Sequence, residues 1–235
     1  MPPLRPHITV ILATSLDGKL ASHAEPDQRI GSPRDWHHLE HLVAQTDGIL
    51  FGANTLRLGG TAMRVVDRAL IQARRQRKLP DQPQQIVCSA SGNIDPELPF
   101  FSQPVRRTLL TTPQGQASWK NKPGFEQIWA MTTPEGGIDW PGVLQKMADQ
   151  GIHSLGVLGG GILVTSLFEQ GLVDKFWLTL CPLILGGTTS AAAIAGSGFT
   201  LATAPRFTLL ESRPQGNEVF LHYRVEPPQG ESHPG

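Results

Sequence analysis

Three consecutive glycines, Gly159, Gly160 and Gly161, stand between an apolar stretch closing at Leu158 and a run whose apolar positions Leu163, Leu167 and Phe168 recur at helical spacing. A strand that ends in glycine and opens into a helix leaves backbone N–H groups free, and the positive end of the helix dipole points the same way. With no Cβ in between, an anion can lie close to the chain. That chemistry suits the diphosphate of a nucleotide cofactor. The same glycines equally make an ordinary turn, since their spacing is not the G-x-G-x-x-G fingerprint of the common dinucleotide fold. Asp17-Gly18 is first of all a turn dipeptide, yet it also places a carboxylate at the end of a strand. His37, His38 and His41 share one helix without an acidic or cysteine partner at ligand spacing, so exposed helix histidines are expected and no metal site. Asp35 falls in the first turn of that helix, where the dipole accounts for it.

These residues need elements to position them. His7 to Ala13 reads as a strand leading into the Asp17-Gly18 turn. Ser32-Pro33 starts a helix that runs to about Gln45, with Ser as N-cap and Pro at the first helical position. Gly48 to Gly52 is a short buried strand, and Asn54 is placed to cap a brief helical turn after it. From Gly59 to Pro83 the pattern weakens, and the basic run Arg68, Arg74, Arg75, Arg77 and Lys78 reads as a solvated helix face. Gln85–Ser89, Arg107–Thr111 and Phe125–Ala130 read as strands, and Asp139–Gln150 as an amphipathic helix ended by Gly151. Asp174–Cys181 follows as a strand, then a small-residue loop over Thr188–Ala204. A hairpin of Phe207–Glu211 and Val219–Val225 closes the pattern, with a disordered tail over 226–235. Strands alternating with helices and ending in a hairpin predict one α/β domain over 1–225, with a largely parallel sheet and antiparallel C-terminal strands.

Bulk properties exclude several classes. Basic and acidic residues balance at 20 each, so no global field favours nucleic acid or an anionic membrane. No apolar run is long enough to cross a bilayer and no signal-peptide core stands at the N-terminus, which makes the cytoplasm the expected location. Cys88 and Cys181 lie far apart in apolar strand-like runs, as two buried thiols in a reducing compartment would.

Five short motifs then occur in a fixed order. They are Ser15-Leu16-Asp17-Gly18-Lys19, the stretch Asp47 to Arg57, Gly159-Gly160-Gly161, Gly171-Leu172-Val173-Asp174, and Pro182 to Gly187. Together they resemble the pyrimidine reductase domain of bacterial riboflavin biosynthesis, which has the dihydrofolate reductase-like fold, over about His7 to Val225. The resemblance implies helices on both faces of the sheet, NADPH bound across the carboxyl ends of its strands, and hydride transfer to a ribosylamino pyrimidine, 5-amino-6-(5-phosphoribosylamino)uracil. It maps Gly159, Gly160 and Gly161 onto the cofactor-phosphate loop. Gly52, Ala53 and Thr55 match a second cofactor-side segment, and Thr14, Ser15 and Asp17 match residues near the nicotinamide and substrate. Asp17 and Ser15 are thus the catalytic candidates, and Thr14 goes with the cofactor. Arg57 and Arg64 are candidates for the cofactor's 2′-phosphate, because arginine offers phosphate a planar fork; surface arginines are the alternative. Asp174 is expected in a structural turn. The resemblance also implies a homodimer formed by joining sheets, with Phe176–Leu185 either at that interface or in the central core.

The chain also departs from the resemblance. Ile11 stands where a first-strand lysine is usual, Gly59-Gly60 where paired acids are usual, and Leu158 where an acid often precedes the glycine loop. The cofactor half of the pattern is kept and the substrate half is eroded. Three readings stay open on this ground: the pathway's own reductase, the same fold with another small-molecule substrate, and a non-catalytic nucleotide-binding or assembly module.

Overall fold

The computed structural model describes residues 5–25 and 27–227. Among the described residues nine strands form one sheet: β1 (His7–Ser15), β2 (Gly48–Gly52), β3 (Gln84–Cys88), β4 (Arg107–Thr111), β5 (Gln127–Ala130), β6 (Ser154–Val157), β7 (Lys175–Cys181), β8 (Phe207–Gln215) and β9 (Glu218–Val225). Their order is β5-β4-β3-β2-β6-β1-β7-β9-β8. Pairing is parallel from β5 through β7 and antiparallel from β7 through β9 to β8.

Six α-helices among the described residues accompany the sheet: α1 (Pro33–Ala44), α2 (Ala53–Gly59), α3 (Arg68–Gln76), α4 (Pro113–Ser118), α5 (Trp140–Asp149) and α6 (Gly161–Glu169). The central strands are apolar on both sides because helices cover both faces. In β2, Leu50 packs with Val143 and Leu144 of α5 and Leu163 and Leu167 of α6. Its neighbours Ile49 and Phe51 point the other way, into a cluster with Val43 of α1 and Leu56 of α2. This alternation follows from the two-residue period of a strand.

Side chains at the far end of the sheet set the strand register. Asp47 Oδ2 accepts bonds from His153 N, Ser154 N and Ser154 Oγ at 2.9, 2.9 and 2.8 Å, which fixes β6 beside β2. Asp174 accepts Ile8 N at 2.7 Å and a two-pronged contact from Arg5 at 2.7 and 2.8 Å, so it has the structural role the sequence assigned it.

Several sequence expectations need correction. Arg74 is not on a solvated face. It is 1% exposed and donates to the carbonyls of Pro80, Ala44 and Thr46. His38 is half-buried, stacked on Phe220 and edge-on to Trp177, because α1 lies over β7 and β9. The cap of α2 is Gly52, with Asn54 already inside the helix. β7 lies between β1 and β9, so Phe176–Cys181 is internal to the sheet, and β8 forms the edge. The hairpin strand β8 runs on to Gln215, and Glu226 N still bonds Arg206 O at 2.8 Å; the expected tail beyond 227 lies outside the described residues.

Candidate functional site

β6 follows β1 and β2 in the chain but is inserted between them in the sheet. The connections leaving the sheet therefore diverge at this point, and open α/β sheets form their ligand crevices at such a switch. A cleft of about 1010 Å³ lies here. It is lined by the carboxyl ends of β1 (Ile11, Leu12, Ala13), β2 (Gly52) and β3 (Cys88), and by Leu158 and Gly160 after β6. That volume sits at the upper end for small-molecule sites.

Two helix N-termini open onto the cleft. α1, α3, α4 and α5 are capped by the side chains of Ser32, Asp67, Thr112 and Asp139, which accept the first backbone N–H groups. α2 and α6 have glycine caps, Gly52 and Gly160, and no side-chain cap. Their first amides are therefore left for another acceptor. The two caps face each other. Gly52 N donates to Gly159 O at 3.0 Å, and a Cβ on Gly52 would stand 3.8 Å from Gly160 N. The Thr55 hydroxyl borders the same corner, 3.7 Å from where a Cβ on Gly160 would be. Gly161 is held more tightly, since a Cβ there would meet Ala192 O at 2.5 Å. The atoms nearest a Cβ on Gly52 are backbone ones at 3.8 and 4.0 Å, and Ile162 just beyond the corner is 74% exposed. Uncapped amides, absent Cβ atoms and an open cleft fit the diphosphate of a dinucleotide.

Most residues expected on the cofactor side converge here. Gly52, Ala53, Thr55, Arg57, Gly160 and Gly161 all line the cleft. Gly159 lies just behind them, holding Gly52 through its carbonyl. Arg57 is exposed at the rim, donating to Asn93 O at 2.6 Å and to the Asn54 side chain. Arg64 is not among the lining residues, and Thr14 is buried beneath them.

Ser15 and Asp17 do not line the cleft. Ser15 Oγ donates to Asp17 Oδ1 at 2.6 Å and accepts Lys19 N. The Asp17 carboxylate also accepts Leu185 N at 3.1 Å and Gly186 N at 2.7 Å. The Ser15 bond first, then that from Leu185, brings its pKa down to about 2. The pair ties the turn after β1 to the segment after β7. That segment continues into Ala191, Ala192 and Ala195, which form one wall of the cleft. Their place in the structure is thus behind that wall.

The cleft wall carries no charged side chain at the positions where the sequence departs from its pattern. Ile11, Leu158 and Gly59 all line it. The polar residue that sequence reasoning passed over is Asp35 on α1, which is 7% exposed and lines the cleft beside Gly31. Burial raises its pKa, and Glu218 adds to this; a hydrogen bond from Thr179 and the charge of Arg29 oppose it. The Arg29 guanidinium lies 3.6 Å over the Trp36 ring. No motif marked Asp35, since an acid in a first helical turn is ordinary. Cys88 also borders the cleft, and burial pushes its thiol up to about 12, so it is no nucleophile at neutral pH. Among the described residues, no group of three or more His, Cys, Asp or Glu side chains is placed to hold a metal ion, and no helix is long and apolar enough to cross a membrane.

Sheet order, switch-point cleft and paired helix starts without side-chain caps define an α/β protein with an open cleft at the carboxyl ends of its parallel strands. The chain belongs to the RibD C-terminal domain family, whose pattern matches residues 6–221. It is 28% identical over 222 residues to the riboflavin biosynthesis protein RibD of Escherichia coli, covering 92% of this chain and 59% of that protein. It is 25% identical to the 2,5-diamino-6-ribosylamino-4(3H)-pyrimidinone 5′-phosphate reductase of Archaeoglobus fulgidus, covering 83% of this chain and 89% of that one. Its fold is that of a pyrimidine reductase-like protein from Corynebacterium diphtheriae, with TM-score 0.77, 20% identity and coverage of 94% and 92%. The RibD of Acinetobacter baumannii superposes with TM-score 0.74 at 18% identity, over 94% of this chain and 58% of that one.

Proposed function

We propose that this chain is an NADPH-dependent reductase acting on a ribosylamino pyrimidine phosphate of riboflavin biosynthesis. The observation that carries this reading is the corner at Gly52 and Gly160, where two helices present uncapped amides across a gap that only glycine leaves open. The curated names of the relatives supply the substrate class.

In this reading the amides at the starts of α2 and α6 hold the cofactor's diphosphate, with Thr55 beside them. Arg57, already oriented by Asn54 and Asn93, is placed for the 2′-phosphate that distinguishes NADPH from NADH. When bound, the nicotinamide supplies the hydride. The chain's own contribution is to hold the sugar carbon in register with it over the carboxyl ends of β1 and β6, and to exclude water with the apolar surfaces of Ile11, Leu158 and Ile138. Thr14, Ser15 and Asp17 act as positioning residues beneath and behind that floor.

The same reading includes a cytoplasmic homodimer. β8 is an edge strand with Phe207, Leu209 and Leu210 exposed at 38%, 51% and 45%, which suits pairing with a second copy. Sedimentation is expected to give a dimer, and a monomer at micromolar concentration would contradict it. NADPH titration by fluorescence tests the cofactor half. Saturable binding well below millimolar is expected, and its absence in folded protein would end the proposal.

A further inference from the structure

Ionisable groups meet beneath α1, where a helix packed on a sheet ordinarily buries apolar ones. His38, His41, Leu42 and Gln45 recur along α1 at the spacing that puts them on one face. Across from them the strand register sets Ile11 of β1, Trp177 of β7, His222 of β9 and Glu211 of β8 in one row of the sheet. Helix and row do not close on each other. Between them lies a recess of about 420 Å³, whose lining also takes in His7, Lys175 and Arg213. Ile11 is the one described residue that lines both this recess and the cleft, so the two spaces are neighbours with different walls.

The recess has a surplus of donors. Arg213 can only donate, so the 3.3 Å contact of its Nη2 with His38 Nδ1 makes Nδ1 the acceptor and leaves the His38 proton on Nε2. That Nε2, together with His222 Nε2 and Arg213 Nε, is buried and has no hydrogen-bond partner among the described residues. Lys175 is half-buried and belongs to none of the four ion pairs seen among them. The one acid on the lining is Glu211, with Oε1 3.7 Å from Arg213 Nη1. Burial, then the charges of Arg213, His41 and His222, push the His38 pKa down to about 4. Burial and then Lys175 lower that of His222, and Glu211 opposes them. Both imidazoles are thus held neutral at pH 7, in part by positive neighbours. The rings are also fixed in place, with His222 stacked on Trp177 at 4.1 Å and His38 on Phe220 at 4.5 Å.

We propose that this recess is a second ligand site, separate from the cleft, and that it takes a small oxyanion, the phosphate or carboxylate group of a metabolite, against Lys175, Arg213 and His222. Lys175 and Arg213 outnumber Glu211, so the lining attracts negative charge while the chain as a whole is neutral. An oxyanion supplies the acceptors that the lining lacks, and its bonds to these cations are of the charge-assisted kind. The volume of about 420 Å³ falls within the range of small-molecule sites and leaves room for the group that carries the charge. Binding is also linked to protons. A negative charge beside His222 favours its protonated form, so occupation takes up a proton there and tightens as the pH falls. His38 stays neutral, because its Nδ1 faces the Arg213 donor.

The test titrates sulfate and succinate calorimetrically into the full chain, with the imidazole NMR signals followed in parallel. Sulfate stands for a phosphate group and succinate for a carboxylate, and the tighter of the two identifies the class. No described histidine lines the cleft, so shifts of the His38 and His222 signals separate this site from binding there. Saturable binding that moves both signals is expected. Sulfate keeps its two charges at neutral and mildly acidic pH, and its affinity is expected to rise about threefold or more between about pH 8 and about pH 6. Lys175→Gln and Arg213→Gln are each expected to weaken binding about tenfold, with a thermal melt confirming the fold. Failure of both anions to saturate the wild type, binding that leaves the His38 and His222 signals unmoved, or a sulfate affinity that does not rise on acidification would overturn the inference without need of a variant. Unchanged affinity in both folded variants would overturn it too.

Discussion

Replacing Gly52 by alanine separates the fold from the proposed cofactor site. Gly52 has φ −77° and ψ 154°, an extended conformation that alanine adopts freely. The new methyl would stand 3.8 Å from Gly160 N and 4.0 Å from Gly159 O, ordinary contact distances that require no backbone shift. Folding stability is therefore expected to stay within about 1 kcal/mol of wild type. The methyl nevertheless occupies the gap between the two uncapped helix starts, where the diphosphate would approach. Losing one such hydrogen bond to a charged group is worth about 1.5–3 kcal/mol, so the Kd for NADPH is expected to rise about 10- to 150-fold. Fluorescence titration reads the affinity, and a thermal melt of the same sample confirms the fold. A Gly52→Ala protein that melts normally and binds NADPH as tightly as wild type would refute the placement of the phosphates. Gly161→Ala gives the contrast: its Cβ would meet Ala192 O at 2.5 Å, so that variant is expected to lose stability as well as affinity.

Further outcomes follow from the charged groups. The folded state raises the Asp35 pKa above its ordinary 3.8, so it binds more protons than the unfolded chain between those values, and stability falls as pH rises through that window. Asp35→Asn should therefore melt higher than wild type at neutral pH, and a lower melting point would contradict the sign. Asp17 has the opposite sense: its pKa falls from 3.8 to about 2, so its contribution is present above pH 4 and lost as pH falls through 2. Asp17→Ala should speed hydrogen exchange at the Leu185 and Gly186 amides while leaving exchange at the β2–β3 ladder unchanged. Arg74→Ala strands the carbonyls of Ala44, Thr46 and Pro80, and chemical denaturation should show a loss of about 3 kcal/mol or more.

Much of the architecture was legible because local signals agreed with the tertiary outcome. Ser32-Pro33 announced α1, Asp139 announced α5, and the triple glycine announced the strand-to-helix corner, each through capping chemistry that acts within a few residues. The signal failed where a long-range partner reversed a local meaning. α3 was read as a solvated helix because its buried residue is an arginine, whose charge is satisfied by carbonyls some thirty residues earlier. β8 looked as if it ended before Pro214, yet an edge strand tolerates a missing N–H. In the cleft, the glycine corner was readable because glycine acts through its own backbone. The place of Asp35 in the cleft was not, because Glu218 takes the Ser32 N–H from 186 positions away. Ser15 and Asp17 were marked by their place at a strand end, and the structure bonds them to each other and to the Leu185–Gly186 backbone, since a strand-end carboxylate looks the same whether it meets a ligand or a neighbouring loop.

The most direct measurement mixes purified protein with NADPH and 2,5-diamino-6-ribosylamino-4(3H)-pyrimidinone 5′-phosphate and follows both the nicotinamide absorbance and the sugar product. The expected result is NADPH consumed one for one with formation of the ribitylamino compound, at a rate that falls in Gly52→Ala at limiting cofactor. Folded protein that binds NADPH yet leaves both compounds unchanged would contradict the assignment of this cleft to sugar reduction.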